Sequence, residues 1–149
     1  MTRRLAKIKL MPVTKTVESV VPPIRSPLVV CIIAWLLPGS GHWLLGKKSR
    51  AAIIFCMVAA SYATGLLMRG PFFEPTSAGD LLSRLIQYLG FVGDLASGLF
   101  YFIASWLGYG PPPSAGHNAD YGSKFLVCAG LLNILAIVDA YEITMRQKD

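Results

Sequence analysis

The stretch LLPGSGHWLLGKKSR, residues 36–50, interrupts a strongly apolar run. Pro38, Gly39, Gly41, His42 and Gly46 stand where a membrane helix would finish, and Lys47, Lys48 and Arg50 follow. Proline removes a backbone donor and ends or kinks a helix, while glycine lets the chain turn tightly. The stretch reads either as a ligand-binding loop or as the bend between two membrane helices. The bend is the simpler reading: the glycines bring two helices close, and the cations face lipid headgroups and fix their depth.

The composition around this bend points to lipid as the solvent. Hydrophobic residues make up 54% of the 149 residues and charged ones 15%, against about 25% charged in soluble domains. Mean hydropathy is +0.53, and the apolar residues come in long blocks. The net charge of +6 is not a nucleic-acid signature. Arg3, Arg4, Lys7, Lys9, Lys15 and Arg25 precede the first block without interleaved aromatic residues to stack on bases. They read as a basic cytoplasmic tail over residues 1–26, anchored on anionic lipid, ahead of one helical transmembrane domain over 27–149. Cys31, Cys56 and Cys128 lie inside apolar blocks at no metal or disulfide spacing and read as small packing residues.

Four blocks predict an all-α membrane protein with about four transmembrane helices. The first, from Pro27 to about Leu45, has only about 11 residues before Pro38 against the roughly 20 a span needs, so it is kinked or re-entrant. The second, Ala51 to Met68, repeats small residues at Ala52, Cys56, Ala60 and Thr64, a face suited to close helix approach. The third runs from about Leu85 to Tyr109, with Gly90, Gly93, Ser97 and Gly98 on a small face and a weak S-x-x-D start at Ser77 and Asp80. Residues 108–123 are a loop by composition. The fourth, Phe125 to Ile143, turns Ala129, Asn133, Ala136 and Ala140 inward. Lys and Arg counts support a cytoplasmic N-terminus equally well for a spanning or a re-entrant first block; the spanning course is the preferred one, because re-entrant backbone needs protein or water around it.

Polar groups inside apolar blocks are costly and mark candidate sites. Asp94 and Asn133 lie near the middles of the third and fourth blocks; Asp139 and Glu142 lie near the end of the fourth, with Glu142 and Arg146 spaced as an i,i+4 pair. Asp94 suits a proton relay or a partner for His42, or a neutral acid bonded to Asn133 or to a backbone carbonyl. His42 suits a helix-end role on freed carbonyls, or axial ligation of haem or a chlorophyll-type pigment. His117 with Asp120 is too small a set for a metal site. No catalytic nucleophile with a partner, phosphate loop or dinucleotide motif is present, and no cofactor is required by the residues.

The PGSGHWLLGKKSRA run resembles the P-G-x-G-H hairpin of small bacterial membrane proteins, similar in style to the TM-two domain. AGLLNILAIVDAYEI, residues 129–143, is similar to the C-terminal segment of an uncharacterised bacterial polytopic family that pairs both blocks. The resemblance covers about a third of the chain and implies a bacterial inner-membrane location with no established activity. His42, Asn133 and Asp139 match its polar signature, and Leu44-Leu45 departs from it where a tyrosine is common. The expected function is a non-catalytic scaffold or accessory subunit, partnered by membrane lipids and by other membrane subunits or a second copy. A cofactor-carrying electron-transfer or photosynthetic subunit and a small proton- or solute-conducting protein are the alternatives.

Overall fold

Two prolines bracket the first helix. Pro27 opens α1 (Pro27–Leu36), where its missing N–H costs nothing, and Pro38 follows its end. In this computed structural model, which describes residues 26–75, 79–110 and 116–146, Leu37 is extended and Gly39 adopts φ +81°, a region that side-chain-bearing residues rarely enter. The chain then turns back as α2 (Ser40–Leu44). Ser40 Oγ lies 2.6 Å from the carbonyls of both Ile33 and Leu37, and its one proton adds a second bond to one of these acceptors, which already take the Leu37 and Ser40 amides.

The two arms of this hairpin share one end. Val30 of α1 and Leu45, just past α2, pack on the same Ala140 of α6 (His117–Arg146). The tip lies deeper, where the Trp35 carbonyl meets Asn133. Residues 27–45 thus enter and leave at one end of α6 as a hairpin, and α1 is a shorter apolar helix outside the two or three candidate spans. The ten residues of α1 rise only about 15 Å, half of a hydrocarbon core.

Next, α3 (Lys48–Leu67) runs 20 residues antiparallel to α6. Arg50 sits by Asp139 at one end, and Gly65 and Gly70 press on Gly122 at the other. The buried face of α3 is Ala51, Val58, Tyr62 and Gly65. The expected small stripe points elsewhere: Ala52, Cys56 and Ala60 are exposed. Cys56 and Cys128 face outward too, so only Cys31 has any packing role.

The third block is also a hairpin. Asp80 is itself the N-cap of α4 (Leu81–Ala96), its carboxylate accepting from the Ser83 amide; Ser77 lies outside the described residues. Gly93 of α4 packs on Val127 and Gly130, so α4 runs alongside α6 in the same direction. At Ser97 and Gly98 (φ +65°) the axis bends by 97° into α5 (Leu99–Trp106). The chain returns along α3: Phe100 stacks on Tyr62, Ala104 joins Val58, Leu126 and Ala129 in the core, and Tyr109 reaches Leu66 and Gly70.

The order is therefore hairpin then long helix, twice, with the second unit inverted against the first. Both return arms finish on Trp-Leu-Leu-Gly or Trp-Leu-Gly, with Gly46 at φ +76° and Gly108 at φ +69°. Among the described residues, α3 and α6 are long and apolar enough to cross a membrane, and α4 with α5 makes three if counted as one broken span. The 30 residues of α6 begin at His117, so residues expected as loop form its first turns, with Asp120 placed favourably near the N-terminus.

Candidate functional site

The inward stripe of α6 carries the site. Ala129, Ala136 and Ala140 are buried as expected, and their small side chains let α1, α3 and α4 approach the helix carrying Asn133. Asn133 is fully buried and its amide nitrogen spends both hydrogens on helix ends: Trp35 O at 3.1 Å and Ala96 O at 2.8 Å. A helix leaves its last carbonyls without internal partners, and in a dry interior each such group is costly. One side chain thus closes the ends of α1 and α4 together. Trp35 Nε1 adds a bond of 3.3 Å to Leu95 O, tying one hairpin tip to the other.

His42 and Asp139 form the second element. The imidazole of His42 is buried, and its Nε2 lies 2.7 Å from Asp139 Oδ2. Arg50 stands 3.7 Å from the same oxygen. His42 therefore binds a carboxylate rather than freed helix carbonyls, and its partner is Asp139, not Asp94. With Nε2 taken, an axial metal would have only Nδ1, which is buried and makes no hydrogen bond among the described residues.

Asp94 forms the third. It is fully buried on α4, and its Oδ2 accepts from the Phe73 amide at 2.7 Å. The bond anchors the chain before α4 against the hairpin tip; neither Asn133 nor a carbonyl is the partner. Asp94 Oδ1 and Tyr62 Oη are buried without partners among the described residues, as is Asn133 Oδ1. Around them lie Phe72, Phe91, Phe100, Tyr101 and Tyr109, in ring contacts of 5.1–6.4 Å. Outside the apolar helices, burial pushes the Tyr109 phenol above its ordinary value, opposed by the charge of Arg69.

Other expected groups stay apart. Glu142 and Arg146 make no ion pair among the described residues, His117 and Asp120 are both exposed, and no group of three metal-ligating side chains comes together there. Trp35, Phe73 and Tyr62 belong to the site without having been singled out by sequence. Phe73 acts through its backbone, which leaves no residue-type signal; an indole three residues before a proline is the only cue for Trp35.

A family model matches residues 29–149. The chain belongs to DUF6677, a family of unknown function. The match covers both hairpins and both long helices of this DUF6677 protein. It agrees with the uncharacterised family expected from the sequence, and assigns no role to the P-G-x-G-H run or to the AGLLN segment. No curated protein and no solved structure is detectably similar to this DUF6677 chain.

Proposed function

We propose that this protein is a non-catalytic scaffold or accessory subunit of a larger membrane complex, carried in a bacterial inner membrane with its N-terminal side cytoplasmic. The observation that carries this reading is the use made of Asn133. A polar side chain at the centre of an apolar bundle marks function by default, yet here both of its donors close helix ends. His42 is likewise held by Asp139, and Asp94 by the Phe73 amide. Polar chemistry is invested in holding two broken hairpins rigid, as a platform for neighbours requires.

The outer faces support it. Between the first hairpin and α3 an apolar groove of about 510 Å³ is lined by Ile33, Leu37, Trp43, Ala52 and Phe55. A second, of about 610 Å³, lies between α4 and α6 and is lined by Leu89, Val92, Val127 and Leu131. Packing in lipid rewards such shaped surfaces, since hydrophobicity alone gives helices no reason to associate there. Extraction in mild detergent followed by native mass measurement tests the reading. Co-migration with a stoichiometric set of other subunits is expected; a bare monomer would sink it.

A second reading, a proton- or solute-conducting protein, draws on one observation. His42 Nδ1, Asn133 Oδ1, Asp94 Oδ1 and Tyr62 Oη are buried atoms without hydrogen-bond partners among the described residues. Flux in reconstituted vesicles that disappears in Asp94→Asn would favour it over the scaffold.

A further inference from the structure

The last turns of α6 face the junction of α2 and α3 across a cavity of about 330 Å³. Lys47, Arg50, Asp139, Glu142, Ile143 and Arg146 line it, so three cations and two carboxylates share one small space. Within this lining only Arg50 and Asp139 form an ion pair, at 3.7 Å. Both contacts of Asp139, to His42 and Arg50, fall on Oδ2, which leaves Oδ1 able to accept. Lys47, Glu142 and Arg146 have no ion-pair partner among the described residues.

Depth narrows the ligand. The cavity sits where both α3 and α6 end, so with these helices read as spans it lies at headgroup level. Its cations suit a phosphodiester. Its carboxylates suit an ammonium that can donate N–H bonds, whereas a quaternary ammonium is typically held by aromatic faces, and the lining contains none. His42, buried beneath, fixes the Asp139 carboxylate by the 2.7 Å contact and so presets the acidic wall.

We propose that this cavity is a binding site for the headgroup of a zwitterionic phospholipid bearing a primary amine, with Lys47, Arg50 and Arg146 on the phosphate and Asp139 and Glu142 on the ammonium. The site is independent of the scaffold role and stands whether or not the protein has partner subunits.

The test uses the full chain in non-ionic detergent, with lipid retention read by native mass spectrometry and melting followed in parallel. The probes are phosphatidylethanolamine, phosphatidylcholine, phosphatidylglycerol and soluble phosphoethanolamine. Phosphatidylethanolamine is expected to be retained roughly tenfold better than phosphatidylcholine, the worth of about one charge-assisted hydrogen bond. Glu142→Gln should erase that preference while sparing phosphatidylglycerol, and Arg146→Gln should weaken all three lipids; both side chains are exposed, so their loss leaves the core intact. Equal or better retention of phosphatidylglycerol, unmoved by Glu142→Gln, would reduce the cavity to a basic anion patch and overturn the proposal. So would retention of no lipid, or a melting shift with phosphoethanolamine as large as with the lipid, which would make the ligand a soluble solute.

Discussion

The two hairpins solve one problem with different chemistry. Each must turn helical backbone around inside the apolar bundle. The first, α1–α2, is short: Ser40 caps its inbound arm, and the buried His42 pins its outbound arm to Asp139. The second, α4–α5, has a longer inbound arm, and its outbound arm is held by rings: Phe100 on Tyr62, and Phe72 against both Tyr101 and Tyr109. Near its tip Asp94 accepts from Phe73. An imidazole–carboxylate hydrogen bond is directional and local, whereas ring contacts spread the attachment along two turns and contribute about 0.5–1.5 kcal/mol each beyond area. The outbound arm of the first hairpin thus rests on a directional polar contact and that of the second on a surface of rings. Asn133 serves both, and Trp35 Nε1 ties tip to tip.

The comparison breaks most completely at the tips. A Cβ on Gly98 would run into the Trp35 carbonyl, and one on Gly39 into Ala51 O, both at positive φ. Gly98→Ala and Gly39→Ala should each cost about 3 kcal/mol or more, visible as loss of monodisperse protein in detergent; near-normal melting of either would show that its tip is not built as described. Asn133→Ala comes next. It leaves two buried carbonyls unpaired and should cost about 2–3 kcal/mol, with new protease sensitivity in both hairpins rather than one. Sensitivity confined to residues 27–45 would mean that the second tip does not depend on Asn133.

Smaller changes sharpen the contrast. His42→Ala should loosen the first hairpin by about 1–2 kcal/mol, since Asp139 is half-exposed and regains water. Tyr109→Phe keeps the ring and removes only the hydroxyl shared between the Leu66 and Gly70 carbonyls, so about 1 kcal/mol or less is expected. Equal losses in the two variants, measured by chemical denaturation, would erase the distinction between a pinned and a stacked arm. The smallest effect lies at Asp80, whose carboxyl is held below its ordinary value by the Ser83 hydroxyl and amide. A depressed folded pKa adds stability above the unfolded value of about 3.9. That contribution is lost as pH falls through the folded pKa. Melting of the wild type should therefore drop more than that of Asp80→Asn between about pH 5 and 3; parallel curves would remove Asp80 from the account.

Much of this architecture can be read from residues, and the rest is hidden for identifiable reasons. The inward face of α6 is legible because Ala129, Asn133, Ala136 and Ala140 recur at helical spacing in a segment whose other faces carry leucine. In α3 every face is apolar, so a stripe of small residues gives no direction, and the buried one is Ala51, Val58, Tyr62 and Gly65. The first hairpin is half legible, since a ten-residue arm before Pro38 is too short to span. The second is not: Gly98 follows Gly90 and Gly93 in a run without proline, and a lone glycine inside an apolar block predicts no 97° bend. At the site, Asp94, Asn133, Asp139 and His42 announce themselves as polar groups in apolar surroundings. Their pairing does not, because His42 and Asp139 are 97 residues apart and no local pattern connects them.

That separation dictates an order of construction. While the chain is being synthesised, the first hairpin reaches the bilayer long before the segment that completes it. The Trp35 carbonyl waits for Asn133, 98 residues later, and His42 waits almost as long. Exposed backbone ends are not tolerated in hydrocarbon, so until α6 arrives these early residues must be sheltered by the insertion machinery or remain at the membrane surface. Of the described helices, the latest to be made, α6, is the one that closes the tip of the first.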